Sequence, residues 1–121
     1  MENYTIIYKT PFINGFKLTK LEFLAFQEML NATSPADKLA QEGGHLLILS
    51  SEFEKQLKNN INVSEGVARS AMTKLVKNKV YRKVKGVAHI YQLNPKYYGK
   101  VYNSEDQSDI IALREKNLFT K

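Results

Sequence analysis

Glu65, Arg69, Ser70 and Thr73 recur at the three- and four-residue spacing that sets side chains on one face of a helix. Their chemistry suits the edges of base pairs. The planar five-donor fork of Arg69 matches guanine O6 and N7, and the hydroxyls of Ser70 and Thr73 can donate or accept at shorter range. Lys74 and Lys77 continue the same face, and Arg82, Lys83 and Lys85 follow closely in sequence. Flexible cations of this kind suit phosphate better than base edges. Ser64, before the face begins, and His89, beyond the cations, complete a candidate phosphate-contacting set.

These residues need a scaffold, and the pattern supplies one. Between Asn62 and Lys79, Val67, Ala68, Ala71, Met72, Leu75 and Val76 fall on one side of a helix that must be buried. Ser64 suits its N-cap, and Lys74, Lys77 and Lys79 suit its carboxyl end. Upstream, SSEFEKQLKNNI predicts a short helix with Phe53 and Leu57 inward, opened by Ser51 with Glu54 as a capping box. Asn59 to Val63 forms the turn between the two helices. Downstream, Tyr81–Lys85 and Ala88–Leu93 are β-prone, separated by a turn at Gly86 and stopped by Asn94-Pro95. Helix, turn, helix and hairpin in that order predict an α+β chain, a winged helix-turn-helix with a small antiparallel sheet.

Charge supports a polyanionic partner. Residues 66–104 hold nine Lys or Arg and no Asp or Glu, whereas residues 1–65 and 105–121 are each slightly acidic, so this segment carries the surplus behind the net charge of +6. Such segregation fits a phosphate footprint better than a general solubility charge and points to double-stranded DNA.

Catalysis finds little support, and the expectation is that the chain is not an enzyme. The two histidines, His45 and His89, are far apart and lack an acidic partner or metal-ligand spacing. His45 reads as a strand-boundary residue. The twelve carboxylates form no convergent set, and the serines at 50, 51, 64 and 70 have no placed base. No metal or cofactor is expected. The absence of cysteine excludes disulfides and thiolate sites. No apolar run approaches the roughly 20 residues of a membrane span, and the opening MENYTIIYK does not resemble a signal peptide. The expected location is therefore the cytoplasm, with no membrane partner.

The remaining chain frames a single domain over residues 1–121, with its core over about 18–100, the helix-turn-helix over 51–78, the wing over 80–94 and a tail over 101–121. YTIIYKTPFI predicts an N-terminal arm or edge strand. Thr19 and Glu22 form a capping box for a helix over Leu21–Leu30 that is apolar around much of its girth. Residues 31–44 read as a flexible loop, with room for a helical turn from Pro35 to Gln41, and HLLILS reads as a short buried strand pairing with the hairpin. Tyr97, Tyr98 and Tyr102 read as edge packing with wet hydroxyls, interleaved with Lys96 and Lys100 in a way that also suits nucleic acid. A C-terminal helix from about Glu105, bearing Ile110, Ile111, Leu113 and Leu118, either folds back on residues 21–30 or packs against a partner. A homodimer thus joins DNA among the expected partners.

Over about Leu46 to Lys100 the chain resembles the winged-helix region of RepL-type plasmid replication initiators. The likeness lies in the helix-turn-helix, the basic hairpin, and an ending that Tyr91, Asn94, Pro95, Tyr98 and Lys100 match in general form. It implies sequence-specific binding of origin DNA and recruitment of host replication proteins. The helix-turn-helix portion is equally similar to bacterial transcriptional regulators that bind operators, some with an effector pocket, and a winged helix used for protein interaction is a third expectation.

Overall fold

The computed structural model describes residues 4–7, 17–37, 43–101 and 111. Its elements run β1 (Tyr4–Ile7), α1 (Lys20–Ala32), β2 (Leu46–Ile48), α2 (Ser51–Ile61), α3 (Glu65–Lys77), β3 (Tyr81–Lys83), β4 (Ile90–Leu93) and β5 (Tyr98–Val101). The fold is α+β, with a three-stranded antiparallel sheet in the order β2-β4-β3 and a separate antiparallel pair, β1-β5. The expected C-terminal helix lies outside the described residues, apart from Ile111.

Each helix begins where a side chain can satisfy its first amide groups. Thr19 Oγ1 accepts from the Glu22 amide at 3.1 Å while Glu22 Oε1 accepts from the Thr19 amide at 3.0 Å, the reciprocal box expected from sequence. Ser64 caps α3 by accepting from the Val67 amide. For α2 the cap is Ser50 rather than Ser51, because Ser50 is the last extended residue after β2 and its hydroxyl accepts from Phe53. Phe53 therefore stands where the box would need an acid. At the other end of α2, Asn62 takes the left-handed conformation at φ 52°, which asparagine tolerates, and turns the chain into α3.

The core gathers Ala25, Phe26 and Met29 of α1, Phe53 and Leu57 of α2, and Ala68, Ala71, Met72 and Leu75 of α3 against Leu47, Tyr81 and Leu93 of the sheet. Alternation along the strands explains the sheet's two faces. Leu47, Tyr91 and Lys83 share a register row on the helix side, while Ile48, paired with Ile90, points outward and is exposed. β2 is thus buried on one face only, where a short buried strand was expected. α1 also differs from expectation: Leu21 and Phe23 are about half exposed, and the inward row of this helix begins with a carboxylate, Glu22.

Both hairpin strands are shorter than predicted. Residues 84–89 form the connection, with Gly86 at φ 83° and His89 at φ 63°, so His89 lies in the turn and not in the returning strand. Asn94 explains the firm stop after β4: its side chain donates to Lys79 O at 2.7 Å and its amide donates to Val80 O, joining the strand end to the exit of α3.

Sequence reasoning missed β5. Tyr98 is buried with its ring edge-to-face on Phe26 at 5.5 Å, not wet at a domain edge. Lys100 is also buried, and its Nζ donates to the carbonyls of Leu30 (3.0 Å) and Asn31 (2.7 Å) near the end of α1, so it is withdrawn from any nucleic-acid surface. Burial pushes its pKa down. Of the loop over residues 31–44, Asn31 and Ala32 end α1, and the non-helical residues 33–37 and 43–44 close on each other through an Ala36–Gly44 bridge. A Cβ at Gly44 would stand 2.4 Å from Pro35 O, too close for any side chain, and the backbone there is at φ 73°.

His45 follows directly, at the boundary of β2 as expected, and is also a structural joint, fully buried. The Lys100 amide can only donate, so Nε2 accepts from it at 3.0 Å, and Nδ1–H points to Leu93 O at 3.3 Å. The imidazole is neutral, with burial holding its pKa down to about 4.

Two stability outcomes follow from this packing. Leu75 is fully buried, so Leu75→Ala should cost about 2 to 5 kcal/mol in a denaturant melt. For His45 the folded pKa of about 4 lies below the ordinary 6.5, so its contribution is complete above pH 6.5 and is lost as pH falls towards 4. The loss should reach about 3 kcal/mol, read as falling urea midpoints, and His45→Gln should flatten the curve in that window.

Candidate nucleic-acid interface

α3 and the β3–β4 hairpin border an open cleft of about 440 Å³. Leu49, Met72, Val76 and Tyr91 make its apolar part, and Arg69, Thr73, Lys83 and His89 bring polar groups to it from both elements. Residues separated in sequence, from the expected base-reading set and from the expected phosphate set, therefore meet in one concavity. Glu54 of α2 also lines it, a carboxylate expected from sequence only as a capping acid, because nothing in a helix-surface acid signals what faces it in space.

The outer residues of α3 are not equally available. Arg69 pairs with Glu65 one turn earlier, and both side chains are more than half exposed. An exposed pair of this kind contributes only about 0.2 to 0.5 kcal/mol. The Thr73 hydroxyl donates to Arg69 O at 2.9 Å and keeps its acceptor lone pairs. Ser64 is exposed but engaged as the cap, and Lys77 is exposed in the last turn.

Ser70 is exposed and Lys74 half-buried, yet both side chains are engaged within the protein rather than left to a ligand as expected. Both reach across to Glu22 of α1: Ser70 Oγ donates to Oε2 at 2.5 Å and Lys74 Nζ donates to Oε1 at 2.8 Å. Glu22 has a side chain only 7% exposed, so its charge is matched on the spot. The Lys74 ammonium first, then the Ser70 hydroxyl and the Thr19 amide, hold its carboxyl down to about 2. The capping box marked Glu22 in sequence, but no local pattern could show that the same carboxylate also faces α3.

In the hairpin, Lys83, Lys85 and His89 are exposed. Arg82 is half-buried, with Nε donating to Gln92 Oε1 at 2.8 Å, while Gln92 Nε2 donates to Gly44 O. Arg82 thus braces the outer face of the sheet rather than standing out from it as a phosphate contact.

Among the described residues, no group of three or more His, Cys, Asp or Glu could hold a metal ion, and no helix is long and apolar enough to cross a membrane. Comparison with protein-family models, curated proteins and solved structures finds no match.

The weak Arg69–Glu65 pair sets an expectation for stability. Arg69→Ala should change the unfolding free energy by no more than about 0.5 kcal/mol in a urea melt. A larger loss would mean that the guanidinium braces the helix instead of remaining available to a ligand.

Proposed function

We propose that this chain binds double-stranded DNA as a winged helix-turn-helix, laying the outer face of α3 in the major groove with the β3–β4 hairpin as its wing. The observation that carries the reading is the shared cleft, where Arg69 and Thr73 of α3 meet Lys83 and His89 of the hairpin, inside a stretch of sequence free of acids from residue 66 to residue 104. Exposed Lys77 and Lys85 extend the same basic surface. Arg69 can exchange its exposed carboxylate partner for a guanine edge at small cost, which suits it to reading sequence.

The narrower role, initiation of plasmid replication at an origin with host replication proteins, rests on the family resemblance alone. Its most distinctive feature, the Asn94-Pro95 ending, is buried here and joins β4 to the exit of α3, so these two residues support a fold rather than a DNA contact. Operator binding by a transcriptional regulator remains the alternative role for the same surface.

Affinity for a mixed-sequence duplex, followed by fluorescence anisotropy, should fall steeply between about 50 and 200 mM salt as neutralised phosphates release cations. Once a preferred site is selected from a random library, Arg69→Ala should remove about 1 to 3 kcal/mol of discrimination against a scrambled duplex. Lys85→Ala should weaken both duplexes alike and lower the salt slope by about one. Flat or absent binding at low salt would exclude the DNA reading.

A further inference from the structure

The buried carboxylate at the α1–α3 crossing has no part in the proposed contacts, yet it controls two residues of the helix that makes them. Glu22 Oε2 takes the Ser70 hydroxyl and Glu22 Oε1 takes the Lys74 ammonium. Ser70 and Lys74 are one turn apart on α3, so a single carboxylate grips the helix at two points along its length. That grip fixes the rotation of α3 about its own axis. Arg69 and Thr73 stand exposed, and Ser70, also exposed, has its hydroxyl turned to Glu22.

We propose that Glu22 is a specificity-determining positioning residue: by holding Lys74 and Ser70 against α1, it withholds a cation from the duplex and leaves discrimination to Arg69 and Thr73. The inference rests on the DNA-binding reading. Its logic is electrostatic. Each cation that reaches a phosphate strengthens binding to every sequence alike, whereas base-edge contacts strengthen binding to one. Lys74 stands at the border, its side chain 40% exposed, with its Nζ 2.8 Å from Glu22 and 3.4 Å from Lys17 O. Deprived of its carboxylate, the ammonium has a short path to solvent and to any polyanion lying over α3. Glu22 itself, nearly excluded from solvent, acts only through its partners.

The test compares wild type, Glu22→Gln, Lys74→Gln and the double variant on a selected and a scrambled duplex across a salt series, after melts establish that each is folded. Glutamine preserves the capping acceptor on α1 while removing the charge that holds Lys74. Glu22→Gln should steepen the salt slope by about one and raise affinity for the scrambled duplex, narrowing the ratio between the two. Lys74→Gln alone should leave the slope and both affinities within about twofold of wild type, and the double variant should match it. A slope lowered by about one in Lys74→Gln would overturn the proposal, because Lys74 would already be a phosphate contact. So would a folded Glu22→Gln with an unchanged slope. Should Glu22→Gln fail to fold, Lys74→Gln alone decides by the same criterion. Absence of binding by wild type would overturn the DNA reading and this inference with it, which separates that failure from a wild type that binds while Lys74→Gln loses slope.

Discussion

A carboxylate taken out of water must be matched where it lies, and the match found by Glu22 dictates how α1 rests on α3. Its three donors come from the start of α1 and from two successive turns of α3. Apolar contacts between Ala25, Phe26, Met29, Ala68, Ala71 and Leu75 are non-directional and would tolerate some rotation of one helix against the other. The hydrogen bonds at Glu22 would not. Direction at the crossing thus comes from a polar group, while most of the favourable burial comes from its neighbours.

The elements that were legible in the sequence are those whose signals are local. Apolar periodicity placed the inner face of α3, Thr19 with Glu22 opened α1, and Gly86 with Asn94 bounded the hairpin. The pairing of β2 with the returning strand followed from chain order. What escaped depends on partners far away in sequence. Local spacing reads Glu22 as a cap and Ser70 and Lys74 as ligand contacts, although they satisfy one another across more than forty residues. β5 has no clear alternation, and its partner β1 lies near the start of the chain. His45 and Lys100 carry no sign in their own surroundings that one will accept from the backbone of the other.

The same distinction revises the basic surface. Counting charges treats every Lys and Arg of residues 66–104 as equivalent, but Lys74, Arg82 and Lys100 each have an internal partner, respectively a carboxylate, a glutamine and a helix end. Lys77, Lys83 and Lys85 are exposed. A smaller, better defined set of cations therefore flanks the cleft, and the internal ones contribute mainly to the frame that aims it.

Lys100 also has a bearing on the order in which the protein is built. The carbonyls it satisfies near the end of α1 lie 69 and 70 residues earlier in the chain. β5 has the same relation to β1, and the Lys100 amide to His45. As a nascent chain lengthens on the ribosome, α1 emerges long before the segment that completes its terminus and pairs with the strand ahead of it. Distant loops must close before these bonds are gained, so their entropy falls on a late stage of folding. The earliest of the described helices to be made is therefore among the last to be finished.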